Sequence, residues 1–192
     1  LYGMASAWSD LTAQGGLASL DSSRWLIEHL LQAESTDRAM RSISYQMKAA
    51  RFPIHRDLAG FDFAQSCVDQ RLIGELADLN FTEEAHNVVL IGGPGTGKTH
   101  LAISLAAAAC RQGHSVRFFT AAALVNLLEE KQKAYLLDRY LTQLDRTDLL
   151  IVDDMGMKQL PKRSGEYLFE IIMRRYENRS TMMTSNRPLE DW

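Results

Sequence analysis

The pattern of apolar and polar positions changes character near residues 52–60. Before that point, Trp25, Leu26, His29, Leu30 and Ala33 recur at helical spacing behind Asp21-Ser22-Ser23, a cluster of helix-capping residues. A second such cluster, Ser35-Thr36-Asp37, predicts the start of another helix that runs to about Arg51, with Pro53 ending it. Beyond the boundary, Val68, Leu72, Leu76 and Leu79 predict an amphipathic helix. Short apolar runs over 88–91, 116–120, 149–152 and 181–185 then read as strands. The intervening stretches read as helices: an Ala-rich one, one through Leu124 and Leu128, one over about 134–144, and one over 165–178 with Leu168, Ile171, Ile172 and Arg175 at its spacing. Strands interleaved with helices predict an α/β fold with a parallel, doubly wound sheet, preceded by a helical region. The expected organisation is residues 1–56 as that helical region and 57–192 as the core.

Composition narrows this little. With 46% apolar and 23% charged residues, the chain is not of a disordered class. Its net charge of −3 points to no polyanionic partner, so a nucleic-acid case must rest on a local patch. No run of eighteen apolar residues occurs, and the apolar stretch at 101–110 is too short to span a bilayer. Residues 1–10 lack the basic start and long apolar run of a secretory signal. Cys67 and Cys110 have no Cys-x-x-Cys spacing, which predicts two buried, reduced thiols in a cytoplasmic protein. The first residue is Leu, which is expected of a fragment.

Candidate chemistry starts with Gly92, Gly93, Pro94, Gly95, Thr96, Gly97, Lys98 and Thr99, a full match to G-x-x-x-x-G-K-[ST] between a strand and a helix. Glycines let successive backbone N–H groups converge on phosphate oxygens, and the helix that begins there adds its positive end. Lys98 would meet the β- and γ-phosphates of ATP, and Thr99 would offer its hydroxyl to Mg²⁺. His100 follows directly and is expected among the nucleotide-binding residues, although the motif gives it no catalytic role.

The run Leu149-Leu150-Ile151-Val152-Asp153-Asp154 is an apolar strand with acids at its carboxyl end. A central parallel strand delivers such residues to the edge where the phosphate loop lies. Asp153 is expected to hold Mg²⁺ and Asp154 to polarise the attacking water; a solvated acid pair is the plainer alternative. Asn186 ends the next strand at the same edge, either to orient water against the γ-phosphate or simply as a turn residue ahead of Arg187-Pro188.

Between residues 38 and 56 there is no Asp or Glu, whereas Arg38, Arg41, Lys48, Arg51 and Arg56 all occur. Arg38, Arg41, Tyr45 and Lys48 fall on one helix face, with Met40, Ile43, Met47 and Ala50 opposite. The basic face suits a phosphate backbone, with Tyr45 against sugar or base; a solvated helix face is the alternative. Lys158, Lys162 and Arg163 form a smaller basic cluster after the acids.

Together, the segment Tyr45-Gln46-Met47-Lys48-Ala49-Ala50-Arg51-Phe52-Pro53, the phosphate loop, the acidic strand end, Thr184-Ser185-Asn186-Arg187-Pro188 and Trp192 resemble the IstB-like helper ATPases of insertion-sequence transposition. That family belongs to the AAA+ ATPases and is similar to the DnaC helicase loader. The resemblance runs through nearly the whole chain. It implies a Walker A loop at 92–99, a Walker B pair at Asp153-Asp154 and a sensor 1 residue at Asn186. It also implies duplex-DNA contact by the N-terminal helical region, ATP-dependent self-assembly, and partnership with the element's own transposase. Helicase loading in replication is the competing expectation. The family's arginine finger, sensor 2 and helical lid are expected beyond Trp192, so weak hydrolysis and impaired assembly are expected of this chain alone.

Overall fold

The structure is a computed structural model that describes residues 1–13, 21–155, 161 and 163–188. The chain packs as two compact units, Leu1–Tyr45 and Gln46–Trp192. The predicted trio Lys158, Lys162 and Arg163 is described only at Arg163, and Trp192 also lies outside the described residues.

The first unit pairs α1 (Tyr2–Ala13) with most of α2 (Asp21–Ala50). No helix was expected over α1. The two helices predicted before Pro53 are one: α2 runs without a break through Ser35-Thr36-Asp37. The reason is local, since Thr36 Oγ1 donates to the carbonyl of Gln32 one turn back (2.9 Å), a bond made inside a helix rather than at its start. The residue beside it acts elsewhere. Glu34 is almost fully buried, and its carboxylate accepts from the backbone N–H groups of Gly3 (3.0 Å) and Met4 (3.3 Å) in the first turn of α1. A cap that α1 lacks in its own sequence is thus supplied by α2. Gly3 makes this approach possible, because a Cβ there would lie 2.5 Å from the carbonyl oxygen of Ala33.

In the second unit four parallel strands, β1 (Val88–Ile91), β2 (Val116–Thr120), β3 (Leu149–Met155) and β4 (Ser180–Ser185), lie in the order β1-β4-β3-β2. The fold is the P-loop α/β architecture expected. Both faces are covered. On β3, Leu149 and Ile151 face one core with α5 (Lys98–Arg111) and α3 (Gln70–Ala77), while Leu150 and Val152 face the other. That second core includes α6 (Ala121–Lys133), α7 (Leu137–Asp145) and α8 (Ser164–Arg175). Burial on both sides explains why β3 reads as continuously apolar. A short helix, α4 (Asn80–Glu83), leads into β1.

Several expectations need correction. Of the stripe Val68, Leu72, Leu76 and Leu79, Leu79 is buried and Val68 and Leu76 pack against the core, but Leu72 is exposed. The helix α3 itself is shorter, with Asp69 capping it by accepting from Arg71 N and Ile73 as its buried residue. Tyr135 takes a left-handed φ of 57°, so α7 starts only at Leu137. Glu177 does the same at the other end of the predicted 165–178 helix, which stops at Arg175. Met40, assigned to the packing face of α2, is exposed, whereas Ala50 is fully buried and Met47 packs on the core. Cys67 is exposed in the loop before α3. Cys110 is buried as expected, and burial pushes its thiol up to about 11. No helix among the described residues is long and apolar enough to cross a membrane.

Candidate nucleotide-binding site

The strand ends assemble the site. The loop of residues 92–97 leaves β1 and runs directly into α5 at Lys98. Gly97 sits at the junction with φ +88°, and a Cβ there would come within 2.5 Å of the Phe61 ring. Both constraints exclude any other residue. Gly92 N donates to the carbonyl of Ser185 (3.2 Å), which ties the start of the loop to the end of β4. Asn186 therefore follows directly beside the loop, in the turn after β4.

Lys98 folds over its own loop, with Nζ 2.7 Å from the carbonyl oxygens of both Gly92 and Gly93 and 3.4 Å from Thr96 Oγ1. Thr99 Oγ1 lies 3.0 Å from each carboxylate oxygen of Asp153. Two residues 54 positions apart thus meet through oxygen atoms, Thr99 from the first turn of α5 and Asp153 from β3. Asp153 is nearly buried at 3% exposure. A hydroxyl and a carboxylate are the oxygen donors that Mg²⁺ prefers, and that ion ordinarily takes only one or two protein ligands, with waters and phosphates as the rest. The residues present therefore fit Mg²⁺.

The acid pair stands at an irregularity. The β3–β4 register shifts between Val152 and Met155, and Asp154 has a left-handed φ of 60°. A bulge of this kind turns successive side chains away from strict alternation. Thr184 on β4 holds it: its Oγ1 accepts from Asp154 N (3.0 Å) and donates to Asp153 Oδ1 in a short hydrogen bond. Thr184 lies in a segment that carries the resemblance, but from sequence a Thr within an apolar strand reads simply as a strand former. Phe61 was likewise not singled out. It packs edge-on against His100 with centroids 5.3 Å apart, while His100 Nε2 is 2.9 Å from the carbonyl oxygen of Asp57. The His100 ring is thus positioned by the segment that precedes α3.

The residues expected to touch DNA are dispersed in their surroundings. Arg38 Nε bonds Glu34 at 2.8 Å. Arg41 bonds Asp37 at 2.8 Å, approaches Glu34 at 3.6 Å, and lies 5.5 Å from the centre of the Tyr2 ring. These acids fall just before the acid-free stretch, one helical turn upstream of their partners. Tyr45 and Lys48 are exposed. Arg51 lies just past the end of α2 with φ 59°.

Comparison with known proteins agrees with this geometry. The family model described as IstB-like ATP binding protein matches residues 1–192. The chain is 37% identical, over 98% of its length, to the ATP-binding protein named for insertion sequence IS5376 of Geobacillus stearothermophilus, and spans 75% of that relative. It is 38% identical over 84% of its length to the ATP-binding protein named for insertion sequence IS21 of Pseudomonas aeruginosa, and spans 62% of it. Among solved structures, the DnaC helicase loader superposes on 76% of this chain and 80% of its own, at 26% identity and a TM-score of 0.57. With a P-loop between β1 and α5, an AAA+ architecture and a family match along its full length, the chain belongs to the IstB-like ATP-binding proteins.

Proposed function

We propose that the chain is an ATP-dependent, DNA-binding ATPase that assists a transposase in selecting or remodelling target DNA. The observation that carries the site is the meeting of Thr99 with both oxygens of Asp153 beside the phosphate loop. In this reading residues 92–99 cradle the phosphates of ATP, and Lys98 exchanges its loop carbonyls for the β- and γ-phosphates. Thr99 and Asp153 would hold Mg²⁺, which would supply positive charge at the phosphates when bound. Asp154 orients and polarises the water that attacks the γ-phosphate, giving ADP and phosphate, and Asn186 positions that water from the adjacent strand end. His100 holds the loop-to-helix junction against Phe61. Residues 1–56 form the DNA-binding region, with Arg38, Arg41, Tyr45, Lys48 and Arg51 toward the duplex, and 57–192 the ATP-binding core. ATP binding favours a self-assembled, DNA-competent state and hydrolysis resets it. The insertion-sequence names of the relatives support the transposase as partner.

The test pairs nucleotide with DNA. Binding of a fluorescent ATP analogue, phosphate release and duplex-DNA binding are measured for the parent chain, Lys98→Ala and Asp154→Asn. Lys98→Ala is expected to weaken ATP at least tenfold and to abolish ATP-stimulated DNA binding. Asp154→Asn is expected to keep ATP and DNA binding but lose turnover. Normal ATP binding by Lys98→Ala would overturn the site, and undiminished hydrolysis by Asp154→Asn would remove Asp154 from its role. The likeness to the DnaC helicase loader favours a second reading, helicase loading, which a pull-down with a replicative helicase separates from the first.

A further inference from the structure

On the β2 edge of the sheet, far along the strand order from β1 and its phosphate loop, a cavity of about 540 Å³ is lined by Arg51, Arg117, Lys131 and Arg146. No Asp or Glu lines it. Its apolar wall includes Phe119 and the ring of Tyr140, with Lys131 Nζ 6.0 Å from the centre of that ring. Each cation arrives from a different place: Arg51 from the end of α2, Arg117 from β2, Lys131 from α6 and Arg146 from the turn after α7. Arg117 fixes one corner by donating to the carbonyl of Ala49 at the end of α2. Among the described residues Arg51, Arg117 and Arg146 enter no ion pair, and Lys131 has only the exposed Glu130 at 3.8 Å. Burial raises the Tyr140 hydroxyl above its ordinary range, and the charges of Arg117 and Arg51 oppose that rise.

Four cations around one cavity repel each other, and no acid of the lining offsets them. The natural counter-charge is an anion. Its shape follows from a second cavity of about 320 Å³ that shares Arg51 and adds Lys48 and His55. The positive lining therefore continues from Lys48 through Arg51 into the larger cavity. A single phosphate would fill one end of this track, whereas a chain of phosphodiesters spaced along a strand would follow it.

We infer that the pocket of Arg51, Arg117, Lys131 and Arg146 is a second nucleic-acid contact, which takes backbone phosphates of the DNA. The inference rests on the DNA-binding reading above and extends it from the N-terminal helix into the core. Tyr140 and Phe119 give the sugar an apolar wall, and the contact is blind to sequence.

The experiment is a salt titration of fluorescein-labelled 20-base-pair duplex and 20-nucleotide single strand against the chain with ATP. It compares the parent, a Lys131→Gln/Arg146→Gln double variant and a charge-preserving Lys131→Arg/Arg146→Lys double variant. Both pairs leave the phosphate loop untouched, and ATP-analogue binding confirms that they fold. The neutral variant is expected to bind DNA at least tenfold more weakly at low salt, with the slope of log affinity against log salt reduced by about two. The charge-preserving variant is expected to keep the parent slope. If the neutral variant keeps the parent's affinity and slope, the pocket is not a DNA contact and the N-terminal reading stands. If the parent binds neither DNA, both fail.

Discussion

Away from the phosphate loop, the first unit buries Glu34 and the second Arg175, and the two charges are held in opposite ways. Arg175 is 1% exposed on α8, and all of its hydrogen bonds go to neutral oxygens. Its guanidinium donates to the carbonyls of Leu144 (2.5 Å), Thr147 (2.9 Å), Asp148 (3.3 Å) and Ser180 (2.6 Å) and to Thr181 Oγ1 (3.1 Å). Burial pushes it down to about 10, so it stays charged at neutral pH. Glu34 instead meets a cation, Arg38, and the N–H groups that open α1. The Arg38 hydrogen bond is foremost in holding its carboxyl at about 2; its burial opposes this, and the bond from Met4 N adds to it. The core thus uses a charge that does not titrate in ordinary conditions to satisfy the carbonyls where α7 ends and β3 and β4 begin. The helical pair uses one that acid can remove.

The largest effect follows from breaking the first. Arg175→Met is expected to cost about 3–5 kcal/mol, because several carbonyls would be left buried without donors. Urea unfolding followed by tryptophan-independent circular dichroism reads this; a loss under about 1 kcal/mol would show that those carbonyls find other partners. Glu34→Gln is expected to act locally and through pH. The folded carboxyl is depressed, so its stabilisation is complete above the unfolded value of 4.5 and is lost as pH falls toward about 2. Protection of α1 amides in hydrogen exchange should therefore fall across that window in the parent and be lower but flat in the variant. A parent profile without that fall would mean Glu34 is not the clasp. The smallest effect belongs to Arg38→Gln. An exposed arginine one turn from its acid is worth under about 0.5 kcal/mol, but the acid loss of α1 protection should move to higher pH.

The same contrast explains what could be read in advance. β1 and β2 match their apolar runs residue for residue. β3 extends three residues beyond Val152, because acids in a strand look like its end until a bulge and Thr184 give them partners. The phosphate loop is contiguous, so its chemistry is written in one stretch. The meeting of Thr99 with Asp153 was reachable from the strand-end rule of a parallel sheet. Thr184 and Phe61 carry no such local mark, since what matters is what lies across from them. Glu34 and Asp37 were missed as partners because the acid-free stretch was counted from Arg38, although helical spacing alone pairs them with Arg38 and Arg41. Arg175 fell on the expected apolar spacing of α8, and the pattern did not show that it was buried as a charge.

Asp154 has a further consequence. A β-carbon in the left-handed region costs roughly 1 kcal/mol, less for Asp than for most residues, and glycine would avoid it. Selection for heat tolerance alone would draw position 154 toward glycine or asparagine, whereas selection for water activation would keep the carboxylate. In the role proposed for Asp154, durability and turnover are opposed at this one position.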